Sequence, residues 1–279
     1  MPRASSQLCP GQKTIDDNTM KHISSKDNPT FKQILRVAQG KKIGSPPWIW
    51  LEGLNLAHAW LDEGYQIEYA VFDEQRATDV TLANFLARID PSICLQLPTA
   101  LMRQLSQVEQ GQGVGLVVSA PTYRADEHIT QSCLYLDRIQ DPGNVGTLLR
   151  TMAAAGIEHA YLSPGCAWAW SQKVLRSAQG AHFVIRIHEN VSIDHFLARL
   201  KIPLYATALE QANSLYQVQL ATEAAWVFGN EGQGVATPLL AAAEQRIFIP
   251  QVSTVESLNV AAAAAVCLFE HRRQRLNLG

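Results

Sequence analysis

The stretch Ala225–Glu270, AWVFGNEGQGVATPLLAAAEQRIFIPQVSTVESLNVAAAAAVCLFE, carries the features that predict the fold of this chain. It opens with Ala225–Phe228, an apolar run of the length of one buried strand. The run stops in Gly229–Gly234, where three glycines permit positive φ and a close approach of the backbone to a ligand. This order predicts a buried strand followed by a ligand-binding loop.

A second strand and a helix complete the stretch. Ile247–Ile249 is a short apolar run that Pro250 ends, and Leu258–Phe269 is apolar nearly all round, which predicts a buried helix. Because ligands of open parallel sheets bind beyond the carboxyl ends of the strands, the two loops predict a ligand crevice. The spacing alone is equally typical of an α/β domain whose glycine loops bind nothing.

Three segments of the stretch resemble signature motifs of a known enzyme family. FGNEGQG at 228–234, IFIP at 247–250 and SLNVAAAAAV at 257–266 stand in the order of the second and third motifs of the SpoU (TrmH-type) RNA methyltransferases, members of the SPOUT superfamily. The resemblance implies an α/β domain with a mainly parallel sheet and a deep trefoil knot. It also implies that the knotted loops bind S-adenosylmethionine.

The segment DRIQDPGNVGTLLRTMAAAGIEHAYLSPG at 137–165 resembles the first motif of the same family. Its pattern predicts a helix over Val145–Ala155 and a strand over Ala160–Leu162. Asn144 and Arg150 stand at the places that the motif requires. The amino terminus of the predicted helix directs free amides at the preceding loop, which suits a phosphate or another anion.

The resemblance also assigns roles to individual residues. It implies catalytic residues at Arg150, Asn144, Glu231, Ser257 and Asn259, and cofactor contacts at Gly229, Ile249 and Leu258. The family role of Arg150 is to accept the proton of a ribose 2′-hydroxyl. Because a guanidinium has a pKa above ~12, a second role stays open, in which Arg150 holds the neighbouring phosphate. No cluster of ligand residues in the sequence indicates a metal site.

The front half of the chain predicts a separate, smaller α/β domain. Strands and helices alternate from Trp48 to Pro121, and the sequences at 48–65 and 105–121 resemble the small substrate-binding domain of the family. The predicted division is a disordered leader over 1–27, an RNA-binding domain over 28–121, a linker over 122–131 and the methyltransferase domain over 131–279.

Charge is distributed unevenly along the chain, although the net charge is only −2. Residues 1–47 hold eight Lys and Arg against three Asp and Glu, whereas residues 48–130 hold four against eleven. The apolar spacing of Phe31–Lys42 predicts a short basic amphipathic helix that Gly40 ends, and its contact with RNA phosphates is left open. How an otherwise acidic domain contacts RNA, and whether translation starts at Met1 or Met20, also stay open.

Composition restricts the class of protein. A hydrophobic content of 47% with 17% charged residues is typical of a globular protein, and no apolar run approaches the roughly 18 residues of a membrane helix. Five scattered cysteines without a Cys-x-x-Cys pair suit a reducing compartment. These features, with the absence of a signal-peptide pattern at the amino terminus, predict a cytoplasmic protein without a membrane segment.

The function predicted from the sequence is S-adenosylmethionine-dependent 2′-O-methylation of ribose in structured RNA. The two-domain layout favours ribosomal RNA, with a guanosine of 23S type as the first expectation. The alternatives are a tRNA 2′-O-methyltransferase and a non-catalytic RNA-binding or ribosome-assembly protein on the same scaffold. We also expect a homodimer through the C-terminal domain, because Leu258–Phe269 is too apolar to face water.

Overall fold

Two sheets organise the chain in the computed structural model, which describes residues 20–106, 111–124, 126–252 and 257–277. A five-stranded sheet belongs to a first unit that ends at Ser119, and a seven-stranded sheet belongs to a second unit that begins at Ala120. Thr122–Gln131, the segment predicted as a linker, therefore falls within the second unit. There Ile129 is 4% exposed and forms a bridge with Leu200.

The first unit carries helices on a mixed sheet of strand order β1-β4-β3-β5-β2. Its strands are β1 (Lys21–His22), β2 (Trp48–Glu52), β3 (Ile67–Asp73), β4 (Cys94–Leu97) and β5 (Val114–Ser119), and its helices are α1 (Pro29–Ala38), α2 (Leu54–Asp62), α3 (Val80–Leu86) and α4 (Thr99–Leu105). Strand β4 runs parallel to β1 and β3, whereas β5 runs antiparallel to β2 and β3. The predicted α/β class is confirmed for this unit.

Helix α1 follows the predicted amphipathic pattern. The side chain of Asn28 accepts hydrogen bonds from the amides of Thr30 and Phe31 and so caps the helix. Phe31 and Ile34 are buried in one core with residues of α4. The helix ends at Ala38, and Gly40, the predicted stop, follows it with a φ of 83°.

The prediction of a disordered leader is wrong for residues 20–27. Lys21 and His22 pair with Leu95 and Gln96 of β4, and Ile23 is 6% exposed within the core of the first unit. An edge strand is held by main-chain hydrogen bonds, so a polar sequence with one apolar anchor suffices. Residues 1–19 of the predicted leader lie outside the described residues.

The second unit carries a seven-stranded sheet of order β10-β12-β9-β11-β6-β7-β8 in which every pair is parallel. Its strands are β6 (Cys133–Asp137), β7 (His159–Leu162), β8 (Arg186–His188), β9 (Leu204–Thr207), β10 (Asn213–Ser214), β11 (Ala225–Gly229) and β12 (Gln245–Phe248). Its helices are α5 (Pro142–Ala154), α6 (Gln172–Ala178), α7 (Ile193–Arg199), α8 (Thr237–Ala242) and α9 (Val260–Asn277). The predicted mainly parallel sheet is confirmed.

Helix α9 departs from its prediction at both ends. It begins at Val260, after Leu258, and continues to Asn277. One side is buried, but Phe269 is 47% exposed and Leu276 is 68% exposed. Within the single chain, the predicted burial therefore holds for the inner side of the helix only.

None of the helices in the described part of the chain has the length and apolar character needed to cross a membrane.

Candidate active site

A pocket of about 820 Å³ lies at the carboxyl edge of the parallel sheet in the second unit. The loops that follow β9, β11 and β12 line it, together with residues 257–260 before and at the start of α9. All three residues predicted to contact a cofactor, Gly229, Ile249 and Leu258, are among its lining residues. Ser257 also lines the pocket and is exposed.

The loop after β11 folds back tightly on itself. Asn230 and Gly234 form an antiparallel bridge, and the amide of Gly234 donates to the carbonyl of Asn230 at 2.8 Å. A Cβ atom at Gly229 would lie 2.3 Å from the carbonyl carbon of Gly234 and 2.3 Å from the amide nitrogen of Val235. Only glycine permits this approach of two backbone segments at the wall of the pocket.

Three of the predicted catalytic residues form one chain of hydrogen bonds. Nδ2 of Asn144 donates to Oε1 of Glu231 at 2.9 Å, and Nδ2 of Asn259 donates to Oδ1 of Asn144 at 3.0 Å. The chain joins the start of α5, the loop after β11 and the start of α9, which are distant in sequence. Glu231 and Asn259 also line the pocket, so the chain borders it.

The backbone around this chain is held by helix caps. Oδ1 of Asp141 accepts from the amide of Asn144 at 2.9 Å, and this hydrogen bond, with Lys173 nearby, lowers the pKa of the Asp141 carboxyl. Oδ1 of Asn259 accepts from the amide of Ala261 at 2.9 Å and so caps α9. Asn259 therefore uses its oxygen for the helix and its amino group for Asn144, which fixes the orientation of its amide.

Arg150 lies apart from this group. It is exposed on α5, six residues after Asn144, which corresponds to about 9 Å along the helix axis. It does not line the pocket. Its guanidinium makes no hydrogen bond and no ion pair with the part of the chain that the structure describes. No donor of the guanidinium is therefore occupied by a described residue, and the group is free to bind a further partner.

Sequence reasoning missed three residues that shape the pocket loop. Oδ1 of Asn230 accepts from the amides of Gly232 and Gln233, both at 3.0 Å, and so forms the turn. Asp137 and Arg138, at the end of β6, hold the loop through side-chain contacts, and hydrogen bonding to Asp137 raises the pKa of the Arg138 guanidinium. A signal was present in the sequence, since charged residues directly after a buried strand lie at the binding edge of a parallel sheet.

Three cysteines of the two units are not suited to nucleophilic chemistry, because burial raises the pKa of each thiol. Burial raises the pKa of the Cys166 thiol, so this cysteine stays protonated at neutral pH. Burial likewise raises the pKa of Cys94 to about 11 and that of Cys267 to about 12. Within the described ranges, no three His, Cys, Asp or Glu side chains come together as metal ligands.

The pocket has a volume that fits a cofactor of nucleoside size. Its volume lies within the range of small-molecule sites, and its wall combines apolar side chains with backbone groups of the glycine loop. Such a wall can hold a base between apolar surfaces while main-chain donors and acceptors bind its edge. The lining residues present therefore suit the adenosine part of S-adenosylmethionine.

Comparison with known proteins agrees with this geometry. A model of the SpoU rRNA Methylase family matches residues 131–269. The chain is 32% identical to an uncharacterized tRNA/rRNA methyltransferase of Synechocystis over 91% of this chain and 94% of that protein. It is 30% identical to the 23S rRNA (guanosine(2553)-2′-O)-methyltransferase RlmP of Bacillus subtilis, over 91% of this chain and 100% of that protein.

A solved structure extends the comparison to three dimensions. The AdoMet-bound rRNA methyltransferase from Sinorhizobium meliloti superposes with a TM-score of 0.79 at 26% sequence identity. The match covers 91% of this chain and 98% of that one. The likeness therefore includes both units and not only the segment around the pocket.

Proposed function

Because this chain belongs to the SpoU rRNA methylase family, we propose that it methylates the 2′-hydroxyl of ribose in structured RNA, with S-adenosylmethionine as the methyl donor. The observation that carries the proposal is the Asn144–Glu231–Asn259 chain of hydrogen bonds beside the pocket. Polar side chains that can orient a ribose thus stand next to a cavity of cofactor size.

The reaction requires little from the protein beyond the positioning of the methyl donor and the ribose. When bound, S-adenosylmethionine supplies a methyl group on a sulfonium, which is a good leaving group. Holding two reactants in line can lower a barrier by as much as ~7–11 kcal/mol in favourable cases. We assign Asn144 and Glu231 to the orientation of the ribose. Asn259 and Ser257 offer polar groups at the start of α9, and Gly229, Ile249 and Leu258 hold the cofactor.

We propose that Arg150 completes the site by acting on the nucleotide. Its exposed guanidinium, without a partner among the described residues, can bind a phosphate through its planar fork and stabilise the alkoxide that develops on the ribose. The same position allows it to accept the proton of the hydroxyl. Both roles require the ribose to lie between Arg150 and the pocket.

Ribosomal RNA is the substrate that the relatives favour. The Bacillus subtilis relative is named for a guanosine of 23S rRNA, and the match to it covers that protein completely. Binding of S-adenosylmethionine to the purified protein, measured by calorimetry, tests the proposal against a non-catalytic RNA-binding protein. We expect stoichiometric binding. A protein that binds ribosomal RNA without measurable affinity for the cofactor would contradict an enzymatic role.

We propose that the first unit binds RNA with the side on which β1, α1 and α4 lie. Six exposed cations stand on these elements and on the described segments next to them, where Asp27 is the one carboxylate among the described residues: Lys21, Lys26, Lys32, Arg36, Lys41 and Arg103. Lys32 pairs with Asp27 at 2.8 Å. By contrast, both cations of residues 54–93 are neutralised, Arg88 by Asp62 at 2.6 Å and Arg76 by Asp79. The exposed cations are thus concentrated on one side of the first unit, away from the paired Arg76 and Arg88. This distribution supports RNA binding by a domain that is acidic over much of its length.

Neutralising this cationic side is expected to weaken RNA binding in a salt-dependent manner. A fourfold variant, Lys21→Gln, Lys26→Gln, Arg36→Gln and Arg103→Gln, should lower the slope of log affinity against log salt by about 3, since each phosphate contact contributes ~0.7–0.9. Filter binding of ribosomal RNA fragments at several salt concentrations measures this slope.

Arg36→Gln and Arg88→Gln form a matched pair of single variants for this test. Each removes one positive charge, but only Arg88 is already paired with a carboxylate. We expect the Arg36 variant to lower the slope and the Arg88 variant to leave it unchanged. Equal losses in the two variants would mean that only the total charge matters and that the proposed side is wrong.

We propose a homodimer formed through the second unit. Exposed apolar side chains on α9, among them Phe269 and Leu276, support it. Arg150 on the neighbouring helix α5 also supports it, since no described residue pairs with its guanidinium. Light scattering at micromolar concentration should give twice the chain mass, and Phe269→Glu should lower it towards that of one chain. A wild-type protein that scatters as one chain would contradict the proposal.

Two further features belong to the same proposal. We propose that the backbone of the second unit forms the deep trefoil knot of the SPOUT superfamily, which is supported by the motifs at 228–234 and 257–266. We also propose a cytoplasmic location, which the scattered cysteines of the sequence support.

A further inference from the structure

Arg138 has a backbone conformation that its residue type disfavours. It follows the last residue of β6 directly and adopts a φ of 55°, in the left-handed region. A side chain with a Cβ atom is strained in this region, and such strain persists only where the surroundings hold the residue in place. The contacts of Arg138 therefore show which part of the structure holds this residue in the strained conformation.

The first of these contacts is a forked ion pair with Asp137. Nε of Arg138 donates to Oδ1 of Asp137 at 2.9 Å, and Nη2 donates to Oδ2 at 2.9 Å. Asp137 is fully buried at the end of β6. A forked pair of this kind fixes the plane of the guanidinium as well as its position. The buried carboxylate of Asp137 thus fixes the orientation of the Arg138 guanidinium.

The remaining donors of the mounted guanidinium reach the pocket loop. Nη1 donates to Oε1 of Gln233 at 2.7 Å, and Nη2 lies 3.4 Å from the carbonyl oxygen of Gly234. The carbonyl of Arg138 accepts from Nδ2 of Asn230 at 2.9 Å. Oδ2 of Asp137 accepts from the amide of Ala236 at 2.8 Å, so the pair holds both ends of the loop.

The residues held in this way line the cofactor pocket. Asn230, Gln233 and Gly234 are part of its wall, and Glu231 between them bonds to Asn144. Glu231 has its own anchor in Asn144, so loss of the Arg138 guanidinium would first release Gln233 and Gly234, which line the pocket. The arrangement therefore connects Arg138 to cofactor binding more closely than to the reaction step.

We infer that Arg138 is a positioning residue for the cofactor: mounted on Asp137, its guanidinium holds the loop 229–234 in the shape that binds S-adenosylmethionine. The inference depends on the proposed function, because it takes S-adenosylmethionine as the ligand of the pocket. It assigns to Arg138 no contact with the cofactor, the RNA or the reacting atoms.

Three substitutions at Arg138 separate the effect of the guanidinium on cofactor binding from the effect of the backbone strain. Arg138→Gly removes both, because glycine adopts the same φ without strain, whereas Arg138→Ala removes only the guanidinium. Arg138→Lys keeps a cation for Asp137 but loses the fork. In calorimetry, both the glycine and the alanine variant should raise the Kd for S-adenosylmethionine about tenfold, the equivalent of about 1.4 kcal/mol. The lysine variant should recover at least about half of that loss on the logarithmic scale.

A kinetic readout and a matched control exclude a general structural effect. With saturating cofactor, kcat of the Arg138 variants should stay within about threefold of wild type, since only ground-state binding of the cofactor is lost. Gln179→Gly makes the same kind of exchange at another left-handed residue, with a φ of 50°, and should leave the Kd unchanged. Amide hydrogen exchange of the loop should accelerate in Arg138→Ala even without cofactor.

The outcomes separate this inference from the proposed function. If wild type binds S-adenosylmethionine and Arg138→Gly binds it equally well, the guanidinium does not position the loop and the inference is wrong. A fall in kcat as large as the rise in Kd would also overturn it, because Arg138 would then act on the reaction. If wild type itself shows no affinity for S-adenosylmethionine, the proposed function fails first, while unchanged loop exchange in Arg138→Ala would still overturn the positioning role.

Discussion

Arg150→Ala is expected to lower turnover by about 10²–10⁴-fold, the range typical of a lost acid–base group. Folding and cofactor affinity should stay near those of wild type, because Arg150 is exposed and the pocket is lined by other loops. Single-turnover methylation of ribosomal RNA measures the rate, and calorimetry measures the cofactor affinity. Full activity in the variant would mean that the catalytic role belongs to another residue.

Arg186→Ala is a control for Arg150→Ala, because both variants remove one exposed arginine from the second unit. Arg186 is also exposed, at the start of β8, which forms the edge of the sheet remote from β11 and β12. Arg186→Ala removes the same side chain from the same unit and should leave turnover near wild type. Equal losses in both variants would point to a general loss of RNA affinity instead of a role at the ribose.

Arg150→Lys distinguishes the two roles of the arginine. Lysine keeps the positive charge but lacks the planar fork, and its pKa falls when it is desolvated. A lysine that accepts the proton must first be deprotonated, so its activity would rise with pH. Activity as low as that of the alanine variant at every pH would favour a clamp on ribose and phosphate.

Gly229→Ala is expected to raise the Kd for S-adenosylmethionine about 100-fold or more, by overpacking the wall of the pocket. The added Cβ would lie 2.3 Å from backbone atoms of Gly234 and Val235, and backbone cannot give way as a flexible side chain can. The same displacement should lower the free energy of unfolding by about 1–3 kcal/mol. Calorimetry and denaturant unfolding measure the two effects.

Gly232→Ala is the matched control in the same loop. The nearest atom to a Cβ at Gly232 is Oδ1 of Asn230 at 3.7 Å, which is an ordinary van der Waals distance. We expect cofactor affinity within about twofold of wild type and unchanged stability. Should Gly229→Ala bind the cofactor as well as Gly232→Ala, the close approach would have no bearing on the shape of the pocket.

The regular parts of the fold could be predicted because local pattern and tertiary environment agree. Cys133–Asp137 and Ala225–Gly229 are buried along their whole length, as expected for central strands of a parallel sheet. Strands of two residues, β1 and β10, carry no such pattern, since main-chain pairing with a neighbour is all that defines them. The same holds for helix α8, whose six residues are too few for a clear period.

The site could be predicted only in part from the sequence, for a physical reason. Asn144, Glu231 and Asn259 lie in motifs, and the structure brings their side chains together. The end of β6 indicates that Arg138 lies at the binding edge, but its contacts with Gln233 and Gly234 could not be predicted, because they join residues more than ninety positions apart. Nothing in the local spacing indicates such a contact. The position of Arg150 outside the pocket wall is likewise a property of the fold.

Nucleoside mass spectrometry can show whether the protein transfers a methyl group to a ribose 2′-oxygen of ribosomal RNA. The purified protein would be incubated with isotope-labelled S-adenosylmethionine and with 23S rRNA from cells that lack the gene, followed by digestion to nucleosides. We predict one labelled 2′-O-methylated nucleoside with wild type and at most a trace with Arg150→Ala. Label on a base, or no label in RNA although wild type binds the cofactor, would contradict ribose 2′-O-methylation by this protein.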